Sequence, residues 1–143
     1  MGRTEIVAGV IVGLCVSAGL AGCSREHPIT VGSKNFTEQV VLGEIVAQHV
    51  EHRLGRQVAR KFNLGGTMLA HQALVRGEID LYPEYTGTAL TAILKLPPVH
   101  DQAAGMTLIR TEYQARFGLQ WMDPLGVNNT FAMVIREADA RKH

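Results

Sequence analysis

The chain has 143 residues, of which 46% are hydrophobic and 19% charged, values that fit one globular domain with a real core. The formal net charge is only +1 and no basic run is present, so no electrostatic footprint for nucleic acid is read. Neither a GxGxxG nor a GxxxxGKS/T phosphate loop occurs, and low complexity and internal repeats are absent.

Residues 1–22 read as a signal rather than as part of the fold. Arg3 gives a small positive start, nearly cancelled by Glu5, and Ile6–Leu20 is an uncharged run of apolar and small residues. A comfortable membrane span needs about 20 residues, so this shorter run suits a signal-peptide core. Leu20-Ala21-Gly22-Cys23 resembles the lipobox of bacterial lipoproteins, which implies cleavage before Cys23 and a lipid on its thiol, with residues 23–28 as a tether. A plain secretory signal or an uncleaved anchor is the alternative. Cleavage removes Cys15 and lipidation occupies Cys23, so no cysteine pair remains for a disulfide or a metal site.

Ile29–Gly32 is a compact apolar strand, and Ser33-Lys34-Asn35-Phe36 a turn. A helix is expected over Thr37–Leu54, with Val41, Ile45, Gln48/His49 and His52 on one stripe, Val40, Leu42, Val46 and Val50 widening the apolar surface, and Gly55 as its stop. Gln57–Phe62 reads as a second strand, Leu64-Gly65-Gly66-Thr67 as a glycine-rich turn, and Met68–Arg76 as a helix stopped by Gly77. Ile79–Tyr82 is the third strand. Pro83 cannot continue a sheet interior, and a helix from about Thr88 to Lys95 ends before Pro97-Pro98. Asp101 can cap a helix running to Phe117, with Leu108, Ile109, Tyr113 and Phe117 inward. Leu119–Met122 and Thr130–Ile135 are read as fourth and fifth strands, and Arg136–His143 as a polar tail. Alternating strands and helices predict an α/β layer architecture with a mostly parallel sheet.

In such sheets ligands bind at the C-terminal ends of the strands. Tyr82, Tyr85, Thr86 and Thr88 fall there, after the third strand, and Lys34 falls there after the first. A lysine so placed could hold an anion as a point charge, although locally a solvated surface lysine is the plainer reading. Gly65-Gly66-Thr67 opens a helix whose free N–H groups attract carboxylate or phosphate; a mere turn reads equally well. His49, His52 and His71 read as solvated positions rather than ligands, because no cysteine or paired Glu-x-x-His pattern accompanies them. Glu84 and Asp80 are too isolated to argue as a catalytic pair, and no nucleophile with a base at recognisable spacing is visible.

Three stretches together resemble one family. They are Ile29-Thr30-Val31-Gly32-Ser33-Lys34-Asn35-Phe36-Thr37-Glu38-Gln39, Leu64-Gly65-Gly66-Thr67, and Ile79 through Thr88. They are similar to the osmoprotectant-binding proteins of ABC importers, the glycine betaine/choline/carnitine receptors of the OpuAC-like (ProX-like) type. The resemblance implies a partial first lobe of a two-lobed periplasmic-binding-protein (type II) fold over residues 29–143, with the second lobe of that family missing. It implies that Tyr85 is one wall of an aromatic cage for a quaternary ammonium, a group without N–H donors that is recognised by π faces. It implies that Lys34 and Thr88 meet the ligand's carboxylate end. Gly126-Val127-Asn128-Asn129-Thr130-Phe131-Ala132 matches a further family stretch, and its cage position, usually tyrosine, is Phe131 here. Tyr82 belongs to the motif without being counted among the contacts.

The resemblance further implies no catalysis and no cofactor. The partners would be a quaternary-amine ligand, a permease with its ATPase subunits, and the membrane through Cys23. The location would be the periplasm or the extracytoplasmic face. The competing expectation is a truncated lipoprotein remnant or interaction protein without ligand binding. An enzyme on the same scaffold is the weakest reading, since no nucleophile, metal set or cofactor loop is seen.

Overall fold

The computed structural model describes residues 27–130 and 132–141. The signal segment, Cys23 and Phe131 lie outside the described residues.

Strand β1 (Thr30–Gly32) sits at the centre of a small parallel sheet. On one side it pairs with β2 (Ala59–Lys61) in the register Thr30↔Ala59, Val31↔Arg60 and Gly32↔Lys61. On the other side the expected third strand contracts to a parallel bridge between Val31 and Leu81. That bridge is secured by Gly32 N–H donating to Leu81 O (2.8 Å) and Asp80 N–H donating to Thr30 O (2.9 Å). The Asp80 carboxylate also accepts Thr30 N–H at 2.7 Å. Pro83 stands two residues beyond Leu81 and lacks the N–H that a longer ladder needs.

Helix α1 (Thr37–Leu54) crosses over between β1 and β2. It ends where Gly55 enters the left-handed region at φ 63° and donates its N–H to Glu51 O. Its inner face differs from the expected stripe. Gln39, Gly43 and Ala47 are buried, whereas Val41 and Ile45 are more than half exposed. Small residues win because the helix lies close to the sheet. A Cβ on Gly43 would come within 2.9 Å of the Phe62 ring and 3.4 Å of Gly32 O. Val31, Ala47 and Val58 form the centre of this layer, with Ile29, Val46, Val50, Phe62 and Leu81 around them.

Helix α2 (Thr67–Val75) follows the glycine turn. A single helical turn, α3 (Thr86–Thr88), runs directly into a π-helical segment (Ala89–Ile93). Helix α4 (Gln102–Phe117) is capped by the Asp101 carboxylate, which accepts Ala104 N–H at 2.7 Å, and is closed by Gly118 at φ 67°. As expected from its periodicity, Ile109 and Tyr113 face inward, with Leu108 and Phe117 partly buried beside them. They pack on Ala89, Leu90, Ile93 and Leu94 to make a second apolar cluster.

Two expected strands do not form among the described residues. Leu119–Met122 and the described part of Thr130–Ile135 have no ladder partner, and Met133 and Val134 are 96% and 89% exposed. A strand needs a neighbour to take its N–H and C=O groups, and β propensity alone does not supply one. The polar tail forms a short helix, α5 (Glu137–Ala140). No helix among the described residues is long and apolar enough to cross a membrane.

Candidate functional site

Three turns meet at the C-terminal ends of the strands. Ser33, fully buried, joins the first two: its N–H donates to Lys61 O (3.3 Å), its hydroxyl accepts Asn63 N–H (3.1 Å), and its carbonyl accepts Leu64 N–H (3.0 Å). Asn35 N–H donates to Gly65 O at 3.0 Å, so the lysine turn and the glycine turn lie side by side. Gly65 adopts φ 108°, a conformation L side chains rarely take, which lets the chain reverse into α2.

The third turn is bound to the first through charge. Lys34 is 1% exposed, and its ammonium donates to Glu84 Oε1 at 2.5 Å; the Glu84 side chain is 5% exposed. The solvated-lysine reading is thus overturned. The cause is a partner 50 residues away that local sequence does not reveal. Glu84 collects two further donors: Tyr85 N–H reaches Oε1 at 2.7 Å, and the Tyr82 hydroxyl reaches Oε2 at 3.1 Å. The Lys34 ammonium also stands over the Tyr85 ring, 5.0 Å from its centroid. Burial, reinforced by the negative charge of Glu84, pushes the Tyr82 phenol well above its ordinary range, so its proton stays in place as a donor.

Tyr85 and Thr88 are half-buried at the mouth of this turn, and Gly87 between them is exposed. Thr67 is half-buried and Gly66 exposed at the start of α2. The structure therefore brings Lys34, Tyr85 and Thr88 to the same sheet edge as Gly65–Thr67. Phe131 lies outside the described residues.

Two features were not foreseen. Gln39 is fully buried, yet neither its amide nitrogen nor its amide oxygen has a hydrogen-bond partner among the described residues. It stands one turn before Gly43, which faces Gly32, so it lies toward the end of β1 that carries Lys34. The Tyr85 hydroxyl is likewise buried without a partner. An unpaired buried amide costs free energy. A glutamine among apolar helix residues was the available signal. The second feature is His71, which is 4% exposed rather than solvated. It packs edge-on against Phe117 (4.6 Å between centroids) and Tyr113 (5.7 Å). Burial lowers its pKa, with the nearby Glu84 charge opposing.

Two surface cavities lie elsewhere. One of about 750 Å³ is lined by residues including Arg110, Trp121 and Asp123, and one of about 290 Å³ by residues including Met68, His71 and Phe117. Neither is lined by Lys34, Tyr85 or Thr88. No group of three or more histidine, cysteine or acidic side chains arranged to hold a metal occurs among the described residues.

Residues 27–143 match the family described as the substrate binding domain of ABC-type glycine betaine transport systems, OpuAC. The chain is 42% identical over 121 residues to the ergothioneine transport permease/ergothioneine binding protein EgtU of Helicobacter pylori, covering 83% of this chain and 21% of that protein. It is 29% identical over 139 residues to the carnitine transport binding protein OpuCC of Listeria monocytogenes, covering 96% of this chain and 45% of that protein. The structure superposes on apo YehZ from Escherichia coli with a TM-score of 0.66 at 31% identity, over 81% of this chain and 42% of that one. The chain thus spans less than half the length of the proteins it matches, as one lobe of a two-lobed binding protein would. The fold is a type II periplasmic-binding-protein lobe, and the chain belongs to the OpuAC family of substrate-binding domains, which bind rather than catalyse.

Proposed function

We propose that this lobe carries half of an interlobe site for quaternary-amine osmoprotectants such as glycine betaine, choline or carnitine, for delivery to an ABC permease with its ATPase subunits. The observation that carries this reading is the convergence of the three motif turns at one sheet edge, with the Tyr85 ring fixed there by Lys34 and Glu84. Tyr85 offers a π face to the trimethylammonium group, and Phe131 is the second wall. Such a contact is worth roughly 0.5–2 kcal/mol. Thr88 donates to the carboxylate end, and the buried Lys34–Glu84 pair stands beside it. Gln39, with its unpaired amide, joins as a third polar contact, and the N–H groups of the Gly65–Thr67 turn as a fourth. Ergothioneine, named for the Helicobacter relative, is also a trimethylammonium carboxylate and falls within the same chemistry.

Export with a lipid on Cys23 is part of this proposal, as is residence on the extracytoplasmic face of a membrane. The support is the apolar run Ile6–Leu20 followed by Leu20-Ala21-Gly22-Cys23. Radiolabelled palmitate appearing on the wild-type chain and lost in Cys23→Ser tests it.

The binding reading is tested by thermal melts of residues 24–143 with and without millimolar glycine betaine or choline. Ligand that binds only the folded state raises Tm. A cooperative melt indifferent to every trimethylammonium compound tried would favour the competing reading, an interaction protein without a ligand. The exposed apolar side chains of Met133, Val134 and Ile135 are the observation on that side.

A further inference from the structure

Glu84 is the most heavily engaged side chain of the site and the only anion shown in contact with Lys34 among the described residues. Lys34 is buried and stands against the Tyr85 ring, the surface proposed above to receive a cation. An unneutralised ammonium 5.0 Å from that ring would repel any second cation brought to it. Glu84 Oε1, at 2.5 Å from Nζ, cancels that field locally. The same carboxylate holds the Tyr85 backbone N–H and the Tyr82 hydroxyl, so charge balance and ring placement depend on one group.

We propose that Glu84 is the specificity-determining residue for ligand charge: by neutralising the buried Lys34 behind Tyr85 it allows the site to accept net cations such as choline as well as zwitterions such as glycine betaine. This rests on the proposed binding of trimethylammonium ligands at Tyr85. Removing the Glu84 charge leaves Lys34 uncompensated. A zwitterion then gains from its carboxylate what its ammonium loses, whereas a cation only loses. Removing Lys34 instead leaves Glu84 uncompensated and reverses the sign.

The test is the ratio of choline to glycine betaine affinity, measured by calorimetric titration of the full chain. Glu84→Gln keeps the shape and most acceptor capacity of the side chain. It is expected to move the ratio toward betaine by on the order of tenfold, the effect of one unit charge roughly 10 Å away at an intermediate dielectric. Lys34→Met is expected to move it toward choline. Because Glu84→Gln leaves a buried lysine unpaired, the same substitution is also made on the Lys34→Met background, where the double variant strands no charge. There too it is expected to move the ratio toward betaine. Equal weakening of both ligands, or an unchanged ratio, in whichever background folds would overturn the assignment and leave Glu84 a purely structural group. Wild-type protein that binds neither ligand would instead overturn the quaternary-amine reading itself.

Discussion

The Lys34 ammonium lies 2.5 Å from Glu84 Oε1, and both side chains are almost wholly removed from water. Breaking such a pair strands a charge, whereas deleting both partners does not. Glu84→Ala is therefore expected to destabilise the lobe by about 3–5 kcal/mol. The double variant Lys34→Met with Glu84→Ala is expected to lose clearly less than the sum of the two single losses. Urea denaturation of the four proteins measures both, and strict additivity would contradict the coupling.

At Tyr85 the ring and the hydroxyl have separable roles. The ring faces Lys34, while the hydroxyl is buried without a partner among the described residues. Tyr85→Ala is expected to abolish trimethylammonium binding, and Tyr85→Phe to preserve most of it, since the π face remains. Tyr85→Phe is also expected to leave stability unchanged or slightly higher, because an orphan polar atom is removed. Equal loss of binding in the two variants would argue against a π cage.

Gly32 closes β1 under the bridge to Leu81. A Cβ there would lie 2.5 Å from Ile79 Cδ1 and 3.2 Å from Leu64 Cδ1, and Ile79 is itself buried. Gly32→Ala is expected to cost about 1–3 kcal/mol through overpacking. Adding Ile79→Val should recover part of that loss, which a denaturant midpoint will show.

Arg60 on β2 bridges Glu51 and Glu44 of α1, with Nη1 at 2.5 Å from Glu51 Oε1 and Nη2 at 3.0 Å from Glu44 Oε1. The hydrogen bond from Arg60, helped by Val58 N–H, lowers the Glu51 pKa from 4.5 to about 2, and Arg60 and Gln48 lower that of Glu44. The folded value is the depressed one, so the stabilisation is complete above pH 4.5 and is lost as pH falls toward 2. Arg60→Met is expected to flatten this part of the curve of Tm against pH. All of these groups are solvent-accessible, so raising the salt concentration should flatten it as well.

His71 has its own, higher window. Burial lowers its pKa below the ordinary 6.5, so the unfolded chain takes up this proton first. Stability is therefore expected to be complete above pH 6.5 and to decline as pH drops below it. His71→Leu should remove the decline between pH 6.5 and the carboxylate range. A proton titration of the His71 ring by NMR that gave an unshifted value would contradict this.

The sequence revealed the helices better than the strands. α1 was legible from end to end because Thr37, the apolar run and Gly55 are all local signals, and Asp101 and Gly118 bracket α4 in the same way. Leu119–Met122 has a strand's composition but no pairing partner among the described residues, and composition does not carry that information. The buried face of α1 was read only in part: Val46 and Val50 pack on the core, but hydrophobicity also favoured Val41 and Ile45, whereas closeness to the sheet selected Gly43 and Ala47. Within the site, the strand-end positions of Lys34 and Tyr85 followed from the alternation of elements. The burial of Lys34 and the central place of Glu84 did not, because the contact joins residues 50 apart.

That separation also bears on how the chain acquires its site during synthesis. The lysine turn, α1, β2, the glycine turn and α2 all precede Glu84 in the chain, and closing so long a loop carries an entropy cost. A nascent chain that has not yet delivered residue 84 holds Lys34 without its counterion. Pairing of Lys34 with Glu84 therefore reports assembly of the sheet and its turns, while α4 lies later in the chain.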